Sequence, residues 1–167
     1  MKTLQPGCDR AVAPAPARLN PTPTMKLESI RVIREVDTSP DTSYLGEYSS
    51  EAGANAIDRE ARGDMGHNEY RYFNPANAEA AELDYQRSET LNRGEWCYLL
   101  IHAAAVVHSE RGIAQTVTSG YIGGIESDSG EAYLAEIETE QLAELRKELE
   151  ALGIEIPADM EVEPVSR

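Results

Sequence analysis

The segment 129–152 constrains this chain more than any other. Leu134, Ile137, Leu142, Leu145, Leu149 and Leu152 recur at helical period and form one apolar stripe. The pattern predicts a helix from about Ser129 to Leu152, ended by Gly153. Asp128-Ser-Gly-Glu131 has capping-box spacing, with Asp128 placed to cap and Glu131 at the third position. Glu136, Glu140, Glu144 and Glu148 recur every four residues, so they line up along one side. Like charges at that spacing destabilise a helix by about 0.2–0.5 kcal/mol per pair. Arg146 and Lys147 can relieve only the C-terminal part of the row. Glu136 and Glu140 oppose the stripe and should face water, whereas Glu138 falls close to the stripe and should sit at its edge or find a partner. The row reads in two ways: a solvated face that keeps the protein soluble, or an anionic surface presented to a basic groove.

Charge sharpens that choice. Lys plus Arg number 15 against 30 Asp plus Glu, a formal net charge of −15. Binding nucleic acid through a general basic field is disfavoured, since the field has the wrong sign. Hydrophobic residues make up 41% of the 167, enough for one packed domain rather than a wholly disordered chain. No apolar run approaches eighteen residues, so no transmembrane helix is expected. Residues 1–24 differ from the rest, with five prolines and four charges summing to +2 (Lys2, Arg10 and Arg18 against Asp9). They read as a disordered, polyproline-like Pro/Ala-rich arm. Met25 then opens the domain proper, either as a native start or after an ordinary flexible tail. Cys8 and Cys97 are the two cysteines, with no CxxC pair, so a zinc site of that kind is excluded and a reducing compartment is the simpler reading.

Between arm and helix the reading is coarser. Ile30, Val32 and Val36 alternate with charged residues, which predicts a half-buried strand over Leu27–Val36. Residues 41–74 are broken by Gly46, Gly53, Gly63 and Gly66. Within them Asn55–Arg62 suits two helical turns and Tyr70–Phe73 a short strand. Asn74-Pro75 resembles a helix start, with alanine-rich sequence to Leu91 and Gly94 as the stop; Leu83 and Leu91, with Ala80 and Tyr85, would make its contacts. Glu95–His108 is the most apolar stretch and suits a central strand. A turn near Ser109–Gly112 returns the chain as a hairpin through Ile113–Ile125, bent at Gly120, Gly123 and Gly124. Ile154–Pro157 reads as a short edge strand, and 158–167 as a flexible tail. The expected architecture is α+β: a single domain over 25–157, with a small antiparallel sheet and hairpin packed against two helices, the long acidic one at the C-terminal end.

No motif carries an obvious chemistry. His67, His102 and His108 form neither an HxxxH nor an HxH pair, and no metal is expected. Ser127–Glu131 lacks the register of a calcium loop, and Gly120–Gly124 lacks the lysine of a phosphate loop. Glu47, Glu51, Asp58 and Glu60 offer carboxylates for hydrolysis, but acids are so frequent that chance pairs are expected, and the chain reads as non-enzymatic and cofactor-free. Tyr44, Tyr48, Tyr70, Tyr72 and Phe73 gather aromatics in the irregular region, either as interface residues or as half-buried cover for a sheet.

Four strings together carry a resemblance: Thr42–Ser49 (TSYLGEYS), Tyr70–Pro75 (YRYFNP), Gly94–Tyr98 (GEWCY) and Ser119–Glu131 (SGYIGGIESDSGE) followed by the acidic leucine helix. Over about residues 25–153 the chain resembles a group of short, acidic, uncharacterised proteins of bacteriophages and integrated mobile elements of proteobacteria. In that group a tryptophan often precedes Gly-Ile-Glu-Ser, where this chain has Gly123. The resemblance supplies no catalytic residues. It implies a cytoplasmic anti-defence protein of the infected bacterial cell. Its expected partner is a nucleic-acid-handling CRISPR effector or restriction complex, with no direct contact to nucleic acid or membrane. Partner-binding candidates are Glu136, Glu140, Glu144 and Glu148, with Tyr44, Tyr48, Tyr70 and Tyr72. The alternative is a non-enzymatic adaptor of a mobile element that binds a protein through Tyr44, Tyr48 and a sheet edge.

Overall fold

The computed structural model describes residues 25–166; the arm expected over 1–24 lies outside them. The elements are β1 (Met25–Val36), β2 (Gly46–Ser49), β3 (Ile57–Asp58), α1 (Arg59–Arg62), β4 (Tyr72–Pro75), α2 (Ala81–Asn92), β5 (Tyr98–Ser109), β6 (Ala114–Thr118), β7 (Ile122–Glu126), α3 (Glu131–Ala151) and β8 (Val162–Ser166). The class is α+β, with a long C-terminal helix.

β5 is the centre of the main sheet because both of its faces are buried. Ile101, Ala103, Ala105 and Val107 point toward α3, and His102 and Ala104 point the other way. The strand order is β6-β5-β1-β8, with β7 also paired to β5. Every pairing is antiparallel except β1 with β8, which is parallel. Leu27, Ile30 and Val32 of β1 share the α3 face of β5. The alanines there leave room for Leu145 and Leu149, which are 0% exposed. Burying side chains of this size contributes roughly 1.5–3 kcal/mol each, so one helix face anchors the sheet.

The buried face of α3 is Leu134, Ile137, Gln141, Leu145 and Leu149. Gln141 sits where a leucine would, because its Oε1 accepts a hydrogen bond from Ser119 Oγ (2.8 Å). Ser119 Oγ in turn accepts from the Ala103 N–H (2.9 Å) and closes the gap between β6 and β7. The single returning strand expected over Ile113–Ile125 is therefore two strands. Leu152, expected on the stripe, is 57% exposed beyond the last turn. The capping box does not form. Gly130 holds the N-cap position without a side-chain bond, because the Asp128 carboxylate is engaged by Arg87 (2.6 and 2.7 Å).

Residues 44–94 build a second, smaller unit. β2, β4 and β3 form a three-stranded antiparallel sheet in that order, and α2 packs on it through Tyr85, Ser88 and Glu89. Phe73 at the centre is 0% exposed and meets Ile57, Tyr85 and Tyr48. A Cβ on Gly46 (φ +135°) would lie 2.4 Å from the Asn74 carbonyl oxygen, so β2 approaches β4 only because this residue is glycine.

Several expectations fail in this unit for one reason: Phe73 needs a strand around it. Asn74-Pro75 ends β4 instead of starting a helix. The Asn74 side chain pins the 51–53 loop, accepting from Gly53 N (2.7 Å) and donating to the Glu51 carbonyl (3.1 Å). The helix starts later, at Ala81; of its expected contacts Tyr85 is buried and Leu91 half-buried, but Leu83 is 69% exposed. Asn55–Arg62 is a two-residue strand followed by one helical turn, not two turns of helix. Nearer the C-terminus, Ile154–Pro157 is not a strand. Ile154 is buried against Leu149 and Leu145 instead. The expected flexible tail contains β8, which pairs with β1 through Val162 and Glu163. It forms because β1 otherwise leaves a row of peptide groups unpaired on that edge.

Candidate functional site

Each of Ile137, Gln141, Leu145 and Leu149 is buried, and each follows directly on one ladder glutamate. A step of one residue turns a helix by about 100°. The glutamates therefore run along one flank of α3 in step with its buried face. Glu136, Glu140, Glu144 and Glu148 are all exposed. They rise about 6 Å per step, so the row spans roughly 18 Å. Among the described residues no lysine or arginine pairs with any of the four. Arg146 and Lys147, on the same helix, make no ion pair with them either.

Several arginines are committed elsewhere. Arg34 pairs with Glu138 (2.5 Å) and Glu131 (3.4 Å) on the opposite flank, so Glu138 finds a partner. Arg62 pairs with Glu82, Arg71 with Asp58 and Glu60, and Arg93 with Glu95. Arg87 lies 3.5 Å above the Trp96 ring and binds Glu126 and Asp128. Its hydrogen bonds hold the Asp128 carboxyl below the usual carboxylate range. This clamp joins α2 to the start of α3. The four glutamates of the α3 flank are thus among the carboxylates that no lysine or arginine pairs with among the described residues.

The tyrosines divide. Tyr48 is half-buried in the small core: its hydroxyl donates to Glu89 Oε1 (3.0 Å) and accepts from Asn92 Nδ2 (2.7 Å). Burial, and then the Glu89 carboxylate, push that hydroxyl's pKa far up. Tyr72 is half-buried in β4 beneath the Arg71 guanidinium. Tyr44 (52% exposed) and Tyr70 (44% exposed) present their rings to solvent. The Tyr44 hydroxyl is nonetheless hydrogen-bonded to that of Tyr98 and donates to Glu126 Oε1 (2.9 Å). Tyr48, Tyr70 and Tyr72 belong to the small unit and the glutamate row to α3, so the structure does not gather the candidates into one cluster.

What it does gather is a buried polar network that the sequence did not announce. Arg59 is 0% exposed. Its guanidinium donates to Asn68 Oδ1 (2.6 Å), the Tyr70 carbonyl (2.5 Å) and the Asp64 carbonyl (2.6 Å), and its Nε lies 3.4 Å from Glu89 Oε1. His67 Nδ1 is 3.3 Å from Glu89 Oε2, and His67 Nε2 is 3.0 Å from Asn92 Nδ2. The Tyr85 hydroxyl donates to Asp64 (3.0 Å), and burial raises its pKa to about 12. Both nitrogens of His67 and both oxygens of Glu89 are engaged, so the network holds the 59–70 loop. Of Glu47, Glu51, Asp58 and Glu60, Asp58 and Glu60 meet on the Arg71 guanidinium, and Asp58 also caps α1. Among the described residues no group of three or more His, Cys, Asp and Glu is arranged to hold a metal ion, and no helix is long and apolar enough to cross a membrane.

Compared with protein-family models, curated proteins and solved structures, the chain finds no match.

Proposed function

We propose that this chain is a non-enzymatic binding protein whose α3 flank docks into a basic, nucleic-acid-handling site of another protein and occludes it. The supporting observation is the row Glu136, Glu140, Glu144 and Glu148: exposed, in register, and without a counter-ion among the described residues. The row's repulsion opposes helix formation, and among the described residues no ion pair relieves it. A magnitude limits the mechanism. Duplex DNA carries one charge per roughly 1.7 Å, against one per about 6 Å in this row. The row therefore engages a few arginines or lysines of a groove rather than imitating a whole duplex, and the net charge of −15 steers the encounter. In the setting that the resemblance implies, the target is a CRISPR effector or restriction complex and the role is anti-defence.

The test is inhibition of DNA binding by such purified complexes. Wild type is compared with Glu136→Lys/Glu140→Lys/Glu144→Lys, and with a control reversal of Glu47 and Glu69 on the small unit. Inhibition should be lost in the first and kept in the second, and wild-type inhibition should weaken steeply with salt. Equal inhibition by all three proteins would rule out the α3 flank as the docking surface. Salt-insensitive inhibition, abolished instead by Tyr44→Ala, would favour an adaptor-type aromatic contact.

A further inference from the structure

α3 covers one face of the main sheet, while α1 and α2 pack on the small sheet. On the second face of the main sheet, Tyr44 and Trp96 lie against Tyr98 at one end. Along the rest, register places Arg31, Ile33 and Glu35 of β1 beside Ala104, His102 and Leu100 of β5. The Tyr121 ring stacks over His102 with centroids 4.3 Å apart and is itself 58% exposed. His102 is 5% exposed, and among the described residues its Nδ1 has no hydrogen-bond partner. Arg31 and Glu35 are both exposed, and among the described residues neither takes part in an ion pair.

We propose that this face is a self-association surface, on which a second copy of the chain docks about a two-fold axis passing over β1 at Ile33, each Arg31 facing the partner's Glu35. The argument is charge self-complementarity. Arg31 and Glu35 lie two residues to either side of Ile33, about 6.6 Å along the strand. A rotation about an axis between the two facing sheets, parallel to them and perpendicular to β1 above Ile33, reverses the strand and exchanges their positions. Ile33 and Tyr121 then meet at an apolar centre flanked by two opposite-charge contacts, the usual arrangement of core and rim.

The face also suits a like copy because it is close to neutral. Its register sets Lys26 and Arg31 against Glu28, Glu35 and Glu163, whereas the α3 flank of an identical molecule would repel. Four strands of this length present roughly 600 Å² per copy, near the lower end for specific interfaces, so the dimer is a weak one. Because α3 lies on the other face, dimerisation leaves the glutamate row free, and the two readings stand or fall separately.

Sedimentation equilibrium of the full chain over a wide concentration range tests this, using wild type, Arg31→Glu, Glu35→Arg and the double swap Arg31→Glu/Glu35→Arg. Wild type should dimerise reversibly. Each single reversal should weaken the dimer by about tenfold or more, and the double swap should restore it, because the swapped face is again self-complementary. Both substituted positions are exposed, so circular dichroism should report the same fold throughout. Monomers at every concentration would overturn the proposal and leave the face to residues 1–24 or to a different protein. A dimer indifferent to both single reversals, or a double swap no better than either, would place the contact elsewhere.

Discussion

His102 is an imidazole that the fold keeps neutral. Burial lowers its pKa below the ordinary value; Glu35 works against that shift and Arg31 with it, and the Tyr121 ring closes the remaining side. A folded state that resists a proton which the unfolded state accepts loses stability as pH falls. The contribution is complete above the ordinary histidine pKa of about 6.5 and is lost as pH drops through that value toward the folded one. Urea unfolding should therefore show a fall in stability from pH 7.5 to 5.5 that His102→Phe reduces. The same slope in both proteins would assign the titration to another group. Arg59 gives the second prediction at this scale. It is fully buried and faces Glu89, whose side chain is 11% exposed. Arg59→Met strands a buried carboxylate and should cost about 3–5 kcal/mol, with amides of residues 44–94 exchanging first by hydrogen exchange. Uniform loss of protection across both sheets would mean that the small unit does not yield first.

At the scale of elements, α3 was legible and the small sheet was not. Helical period is a local property, and Leu134 through Leu149 express it over four turns, so the helix and its sheet-facing side follow from spacing alone. The β1 alternation and the apolar run of β5 are equally local. The small sheet has strands of two and four residues, too short for a period to emerge. Its interior includes Arg59 and Glu89, which any hydrophobic pattern counts as surface. The capping box misled for a related reason: Arg87, 41 residues away in sequence, takes the Asp128 carboxylate. A prediction at this scale separates stability from binding. Glu140→Lys turns two repulsive spacings, with Glu136 and with Glu144, into attractive ones. Thermal unfolding at low salt should show a gain of about 1 kcal/mol, while inhibition of the target weakens. A destabilised Glu140→Lys would show that the row is not under internal repulsion.

For the whole molecule, what matters is where the charge goes. Among the described residues six arginines (34, 59, 62, 71, 87 and 93) pair with carboxylates of the helices, strands and loops. Other carboxylates, the four of the α3 row among them, have no lysine or arginine partner there, in a chain of net charge −15. Self-repulsion of that size is screened by salt. Raising ionic strength from very low to physiological should therefore raise the melting temperature, read by differential scanning fluorimetry, even as it weakens target binding. A melting temperature that falls with salt would mean that the ion pairs outweigh the repulsion.

Spacing alone determined that a long acidic helix would form, that its leucines would lie on a sheet, and that four glutamates would stand in line, because each of these depends on neighbours within a few residues. Whether those glutamates would be neutralised, whether the tyrosines would be cover or contact, and which carboxylate would cap a helix were decided by the tertiary structure. A side chain's counter-charge comes from wherever the folded chain brings one, and here the arginines of β1, α1, β4 and α2 were brought to other carboxylates.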